Sequence, residues 1–220
     1  MESSHIQQMY HTIRDDIEHN RIALPSVSLT ASEHPYPYHI LISSLISTRT
    51  KDQVTLEASR RLFQAADTPQ AMVQLNEQKI ADLIFPAGFY RTKARQILEL
   101  SRILISTYQG QVPDDPDKLL ELPGVGRKIA NLTLSLAFKI EAICVDTHVH
   151  RIANRLGWVS TASPEDTERK LQILLPRSLW IPLNETLVLF GQHTCVPVSP
   201  YCSSCAVTHI CPKHGVNSSR

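Results

Sequence analysis

The sequence predicts an all-α protein. Apolar residues recur at helical spacing along most of the chain, and no segment shows a convincing two-residue strand alternation. Prolines, glycines and capping residues separate the helical segments at short intervals. About ten short helices joined by tight turns are therefore expected.

The N-terminal segment is predicted to form the first helix. Its apolar residues share one helical face, at Ile6, Tyr10, Ile13 and Ile17. It has an early acid and no continuous apolar region, so we expect an amphipathic helix rather than a signal peptide. No run of about eighteen apolar residues occurs, which argues against a membrane span. A cytoplasmic protein is expected, associated with the nucleoid if its source is prokaryotic.

Four residues are predicted to cap later helices. Asp115 and Ser163 each precede a proline, the pattern of an N-cap followed by proline at the first helical position. Thr92 is expected to cap the helix TKARQILELSRILIS, and Asp146 the helix DTHVHRIANRL. Each of these side chains can accept a hydrogen bond from an amide of the first helical turn.

Length and charge leave the function open. The chain has 220 residues, enough for one domain or for two modest ones. Its net charge of +1 provides no general attraction to polyanions. Between residues 89 and 105, however, one acid accompanies four bases, Arg91, Lys93, Arg95 and Arg102. Any contact with nucleic acid is therefore expected to be local.

The stretch LPGVGRKIAN, which starts at Leu122, predicts a tight hairpin between two helices. The first helix is expected to end near Glu121, and the second to run from Arg127 to Phe138. Gly124 and Gly126 permit positive φ and leave amides unshielded by side chains. Because a helix N-terminus attracts anions, a DNA phosphate is one candidate ligand. Glycines that only close the turn are the alternative.

Four of the five cysteines lie near the C-terminal end with the spacing Cys-x6-Cys-x2-Cys-x5-Cys: Cys195, Cys202, Cys205 and Cys211. In an unexported protein such clustering indicates a metal centre rather than disulfides. Zinc and a [4Fe-4S] cluster both accept four thiolates. Zinc sites more often pair two Cys-x2-Cys motifs, so this spacing favours iron–sulfur. Cys144, in the apolar run AICV, is expected to be a buried core residue.

Five separated features together resemble the endonuclease III family of helix-hairpin-helix DNA glycosylases. They are the segments LISTRTKDQVT, GFYRTKA, LPGVGRKIAN and VDTHVHRIANRLGW, and the cysteine spacing. The resemblance implies two helical domains with the active site in the cleft between them. A six-helix barrel that carries the hairpin is expected at 30–140, and an iron–sulfur cluster domain at 1–29 and 141–220.

The resemblance assigns the catalytic pair to Lys128 and Asp146. From the residues alone, phosphate binding by Lys128 and simple helix capping by Asp146 are the commoner roles. In the family, the matching lysine attacks C1′ of a flipped nucleotide as the base departs, and the matching aspartate supports the developing positive charge. β-Elimination through the resulting imine then cuts the strand 3′ to the site.

Lys128 favours a bifunctional glycosylase and AP lyase that removes oxidised pyrimidines. Related adenine glycosylases usually carry serine at this position, and some thymine-mismatch enzymes carry tyrosine. Within enzymes, the alternative is a glycosylase for uracil or thymine opposite guanine. Outside enzymes, the alternative is a non-catalytic DNA-binding protein with a four-cysteine zinc loop.

The resemblance also implies contacts with DNA. The hairpin would contribute Leu122, Gly124, Val125, Gly126 and Arg127. Arg49 replaces the family's common glutamine and would fill the gap left by the flipped nucleotide, with a preference for guanine, unless it contacts a phosphate. Phe89 replaces the common leucine and would stack between bases, unless it only packs beneath its turn.

A cofactor and a partner follow from the same resemblance. The four cysteines would hold a [4Fe-4S] cluster that shapes a DNA-facing loop, because no step of the expected chemistry is a redox step. The expected partner is double-stranded DNA with damaged bases or abasic sites, and no membrane is involved. The protein is expected to act as a monomer.

Overall fold

The computed structural model describes residues 2–220, and no strand occurs among them, so the all-α prediction is confirmed. Within these residues there are twelve α-helices, slightly more than expected, and two short 3-10 turns at Arg177–Leu179 and Cys202–Ser204. The α-helices are α1 Ser3–His19, α2 Ser26–Glu33, α3 Pro37–Ser47, α4 Asp52–Ala65, α5 Pro69–Met72, α6 Glu77–Ile84, α7 Tyr90–Tyr108, α8 Pro116–Leu120, α9 Arg127–Phe138, α10 Thr147–Arg155, α11 Pro164–Leu174 and α12 Trp180–His193.

The chain divides into two compact units. The barrel unit comprises Pro25–Ile140, and the terminal unit comprises the described residues up to Leu24 together with Glu141–Arg220. The barrel unit thus begins before the expected boundary at residue 30. Because α2 packs against both α3 and α4, a boundary at residue 30 would divide a helix that packs as a whole.

Six helices of the barrel unit are eight residues or longer, and α5 and α8 are short. The central helix is α3, which packs against α2, α4, α7 and α9. Every residue from Tyr38 to Ile46 is buried, because a helix with neighbours on all sides needs no polar face. Two of its polar groups are paired with neighbouring helices: Ser43 donates to Ser59 at 3.0 Å, and the hydroxyls of Tyr38 and Ser101 lie 2.7 Å apart.

The terminal unit is built around α1, α10 and α12. α12 packs against both α1 and α10, and the apolar face predicted for α1 is buried in this core. The indole nitrogen of Trp158 donates to the sulfur of Met9 at 3.4 Å, which ties the segment after α10 to the first helix. Among residues 2–220, no helix combines the length and apolarity that crossing a bilayer requires.

The buried face of α1 allows a direct test of the terminal unit. Ile13 is fully buried, so Ile13→Ala should lower the free energy of unfolding by about 2–5 kcal/mol, from lost apolar burial and the cavity that remains. Gln8→Ala, at an exposed position of the same helix, should change it by less than about 0.5 kcal/mol. Urea denaturation measures both. Equal, small effects would mean that α1 does not contribute to this core.

Candidate functional site

The predicted hairpin joins α8 to α9 and depends on Gly124. Its φ is +78°, in the left-handed region that favours glycine. An added Cβ would also lie 2.8 Å from the side-chain amide carbon of Gln96 on α7. The amide of Val125 donates to the carbonyl of Leu122 at 3.0 Å and closes the turn. The positive φ therefore favours glycine at this position, whereas the contact is with the far end of a flexible glutamine side chain, which can move aside.

Gly126 meets a different requirement. It is the N-cap of α9, with φ −100°, and it provides no side-chain hydrogen bond to the helix. An added Cβ would meet no heavy atom within 4 Å, so no neighbour among the described residues excludes a side chain here. The missing side chain leaves the start of α9 open to an external anion.

The five hairpin residues predicted to contact DNA are not equally placed for it. Gly124, Gly126 and Arg127 are exposed, whereas the side chains of Leu122 and Val125 are buried. The amides of the two buried residues donate to carbonyls within the same hairpin. The surface that the hairpin offers to a ligand is thus formed mainly by its glycines and Arg127.

Lys128 is the second residue of α9. It is partly buried, and the two residues that follow it, Ile129 and Ala130, are buried in the barrel unit. The helix therefore anchors the lysine at the boundary between packed core and solvent, one turn or less from the open N-cap. This location suits an amine that must meet a large external ligand.

Two further predicted residues, Arg49 and Phe89, lie together in the barrel unit. Both have positive φ, 51° and 57°, which is uncommon outside glycine and costs about 1–3 kcal/mol when nothing else favours it. Arg49 is exposed, and Phe89 is 62% exposed. The guanidinium carbon lies 5.5 Å from the centre of the phenyl ring, within the range of a cation–π contact. The backbone at both residues is therefore strained, and it carries two exposed side chains.

A buried hydrogen-bond network fixes the backbone beneath them. Lys93, one turn into α7, is only 3% exposed. Its ammonium donates to the carbonyls of Ile46 at 2.7 Å and Thr48 at 2.6 Å, and to the hydroxyl of Thr50 at 2.9 Å. The same hydroxyl accepts from the amide of Gly88 at 3.1 Å. One threonine therefore joins the loop that carries Arg49 to the turn that carries Phe89.

These residues and the hairpin surround a cavity of about 220 Å³, lined in part by Arg49, Phe89, Thr92, Lys93, Gln96 and Gly124. Burial, and then the nearby charge of Lys128, lower the pKa of the Lys93 ammonium to about 8. The structure thus brings Arg49, Phe89 and the hairpin together within the barrel unit. Lys93, one of the four bases counted between residues 89 and 105, is a buried support.

In the terminal unit, Asp146 is the N-cap of α10, as predicted. Its Oδ1 accepts from the amides of His148 and Val149, each at 2.9 Å. Because one oxygen accepts both bonds, Oδ2 is not needed for the cap. Asp146 belongs to the terminal unit and Lys128 to the barrel unit, so their pairing in one site stays a prediction.

The helix that Asp146 begins also holds the cysteine loop. Arg155, at its last turn, is buried and donates to the carbonyls of Val196 at 2.7 Å and Pro197 at 2.6 Å. Arg151 donates to the carbonyl of Cys195 at 3.0 Å. Two guanidinium groups of α10 therefore fix the first part of the loop.

The four predicted metal ligands line one cavity, and all four are free thiols: Cys195, Cys202, Cys205 and Cys211. Within residues 2–220, however, no group of three or more potential ligand side chains is arranged for a single metal ion. Burial, and then the other three sulfurs, raise the pKa of Cys205 to about 11. Four thiolates would therefore need a strongly cationic centre to be stable together. Cys144 is buried, as predicted.

The sequence patterns indicate no specific role for Thr50, Lys93 or Arg155. All three lie inside the segments that resemble the family, and their position in those segments is the only feature of the sequence that points to them. Their roles depend on contacts such as that of Lys93 with Thr50, which are 43 residues apart in sequence. Periodicity within one helix does not report such contacts.

Comparison with known proteins agrees with this architecture. The sequence profile of the HhH-GPD superfamily of base excision DNA repair proteins matches residues 42–177. Endonuclease III of Thermotoga maritima is 49% identical over 175 residues, which cover 80% of this chain and 82% of that protein.

Solved structures match over nearly the whole chain. A trapped covalent intermediate of endonuclease III with DNA has a TM-score of 0.86 and 32% identity, and the match covers 97% of each chain. A thermostable thymine-DNA glycosylase has a TM-score of 0.83 and 25% identity, over 94% of this chain and 95% of that one.

The buried amine makes stability depend on pH in a defined direction. Between pH about 8 and 10.5, the unfolded chain binds a proton at Lys93 that the folded protein has released. The free energy of unfolding should therefore rise with pH across this window, relative to Lys93→Met, which cannot titrate. Urea denaturation of both proteins at several pH values measures the difference. Parallel profiles would contradict the lowered pKa.

Proposed function

Since this chain belongs to the endonuclease III family, within the HhH-GPD superfamily of base excision DNA repair proteins, we propose that Lys128 is its catalytic nucleophile. The protein is a DNA glycosylase and AP lyase of base excision repair, and its partner is DNA. The observation that carries the proposal is the position of Lys128, beside the open glycine N-cap of the hairpin helix.

A covalent mechanism is favoured by the relative that was trapped as an endonuclease III–DNA covalent intermediate. Covalent attack on DNA at C1′ requires a nucleophile within reach of the deoxyribose. The hairpin offers an anion a glycine surface, and Lys128 lies in the first turn of the helix that follows. Lys93 is a poor candidate, because its ammonium is buried and all three of its N–H groups donate to oxygens.

The proposed reaction uses the lone pair of the Lys128 amine. The amine nitrogen bonds to C1′ while the bond from C1′ to the base breaks, and the base leaves with that electron pair and takes a proton. The sugar ring then opens to give an imine between C1′ and Lys128. Loss of a proton from C2′ expels the 3′ phosphate oxygen, so the strand is cut 3′ to the site.

We assign to Asp146 the support of the positive charge that develops at the sugar. The cap uses its Oδ1, which holds the carboxylate rigidly and leaves Oδ2 for this task. Proton transfer during the opening of the sugar ring is a second task for the same oxygen.

The proposed substrates are oxidised pyrimidines. A lysine nucleophile serves a glycosylase that also cuts the strand, whereas neither alternative requires a covalent amine. The thymine-DNA glycosylase fold matches nearly as well, but at lower identity than endonuclease III, so the mismatch alternative is not favoured. A non-catalytic DNA-binding role is not favoured either, because the named relatives are enzymes.

Arg49 and Phe89 are proposed to enter the DNA where the nucleotide leaves it. Both are exposed beside the hairpin, and the cation–π contact keeps them together. Phe89 would stack between bases and so replace the stacking that is lost when the nucleotide leaves. Arg49 would bind the base that the flipped nucleotide leaves unpaired. Packing of Phe89 beneath its turn is not supported, since 62% of the residue is exposed.

The cysteine cavity is proposed to hold a [4Fe-4S] cluster. The four thiols line one cavity, and their spacing, with a single Cys-x2-Cys motif, fits a multi-iron centre better than zinc. When bound, the cluster would supply a cationic core that neutralises the thiolates and fixes the loop. Arg151 and Arg155 would then connect this loop to the helix that starts at Asp146.

The nucleophile is tested by borohydride trapping on a duplex that contains an abasic site. Lys128→Gln should abolish the covalent adduct, because the neighbouring amine of Lys93 is buried and donates to three oxygens. The control is Lys118→Gln, the same change at an exposed position of α8 in the same hairpin, which should retain trapping. An adduct that persists in Lys128→Gln would remove Lys128 from the mechanism.

The cofactor is tested by metal analysis of the purified protein. About four irons and four sulfides per chain are expected, with broad visible absorption. Cys211→Ala should lose most of this iron, whereas Cys144→Ala, a buried cysteine outside the cavity, should keep it. One zinc per chain without iron would contradict the proposed cluster.

A further inference from the structure

Two segments far apart in sequence meet at one hydroxyl group. The loop between α3 and α4 carries Arg49, and the turn before α7 carries Phe89. Thr50 follows Arg49 directly, and its hydroxyl accepts from the amide of Gly88, which precedes Phe89. The carbonyl of Arg49 lies so close to Gly88 that an added Cβ would overlap it. The two segments are therefore in direct backbone contact.

The network that joins these segments uses all of its hydrogen-bonding capacity. The Thr50 hydroxyl donates to the carbonyl of Thr48 at 3.2 Å and accepts from both Gly88 and Lys93. A hydroxyl has one donor and two acceptor positions, so none is left over. Lys93 likewise uses its three N–H groups. Replacing either side chain would leave buried polar groups without partners.

We propose that Thr50 and Lys93 are positioning residues that lock the Arg49 loop and the Phe89 turn into one preformed wedge for lesion recognition. The inference rests on the proposed entry of Arg49 and Phe89 into DNA. Neither Thr50 nor Lys93 needs to touch the DNA, because both act through the backbone that carries the exposed side chains.

Preorganisation explains why two non-glycine residues are held at positive φ. Free loops would relax to ordinary backbone angles, and binding would then have to order both again. The network opposes this relaxation before DNA arrives. The network should therefore matter most for binding to a site with a missing base, because the wedge enters the DNA there. Binding to intact duplex depends mainly on phosphate contacts and should change less.

The test compares Thr50→Val with Thr50→Ser. Valine matches the shape of threonine without the hydroxyl, and serine keeps the hydroxyl. Dissociation constants are measured for a duplex with a tetrahydrofuran abasic analogue and for the undamaged duplex at one salt concentration. Thr50→Val should weaken the preference for the analogue by about tenfold, with binding to undamaged duplex within about twofold, and Thr50→Ser should retain it.

Phe89→Ala provides the control that separates this inference from the proposed DNA contact. If Thr50 acts through the wedge, Thr50→Val should add little to the loss already caused by Phe89→Ala. Full additivity, no loss in Thr50→Val, or an equal loss in Thr50→Ser would overturn the positioning role while leaving the contact of Phe89 in place. If Phe89→Ala instead keeps the full preference for the abasic analogue, Phe89 does not contact the DNA as proposed, and the inference fails as well.

Lys93→Met gives an independent measure of the same network. It removes the three hydrogen bonds that Lys93 donates to Ile46, Thr48 and Thr50, so the preference of this variant for the analogue should fall at least as far as that of Thr50→Val. Thermal unfolding and circular dichroism confirm that each variant is folded before binding is compared. A folded Lys93→Met protein with unchanged preference would contradict the role assigned to Lys93.

Discussion

The geometry of the barrel unit's site depends on the turn at Gly124. Its positive φ reverses the chain between α8 and α9, and the contact with Gln96 fixes this turn against α7. A side chain at this position would strain the backbone, because the left-handed region favours glycine. The start of α9, the open N-cap at Gly126 and the position of Lys128 all follow from that reversal.

The same unit contains two lysines in contrasting environments. Lys93 is buried, and its three N–H groups are consumed by two carbonyls and a hydroxyl, which suits a structural support. Lys128 is only partly buried and lies at a helix start that faces open space at its cap. Burial therefore suits Lys93 to a structural role, and the more open position of Lys128 is compatible with its proposed role as the nucleophile.

The sequence predicts local features better than long-range ones. The caps at Asp115, Asp146 and Ser163 are confirmed, because each depends on an oxygen that bonds amides two or three residues away. The predicted cap at Thr92 is wrong. α7 begins at Tyr90, where Phe89 takes a left-handed conformation that packing with the Arg49 loop stabilises. The network of Lys93 and Thr50 escaped prediction for the same reason, since distant segments form it.

Peptide mapping by mass spectrometry of the borohydride-trapped protein–DNA adduct tests the central claim most directly. The reduced deoxyribose fragment identifies the amine that formed the imine, without relying on the loss of activity in a variant. The account predicts that this fragment is attached to Lys128. Attachment to Lys93, to the N-terminal amine or to any other lysine would contradict it.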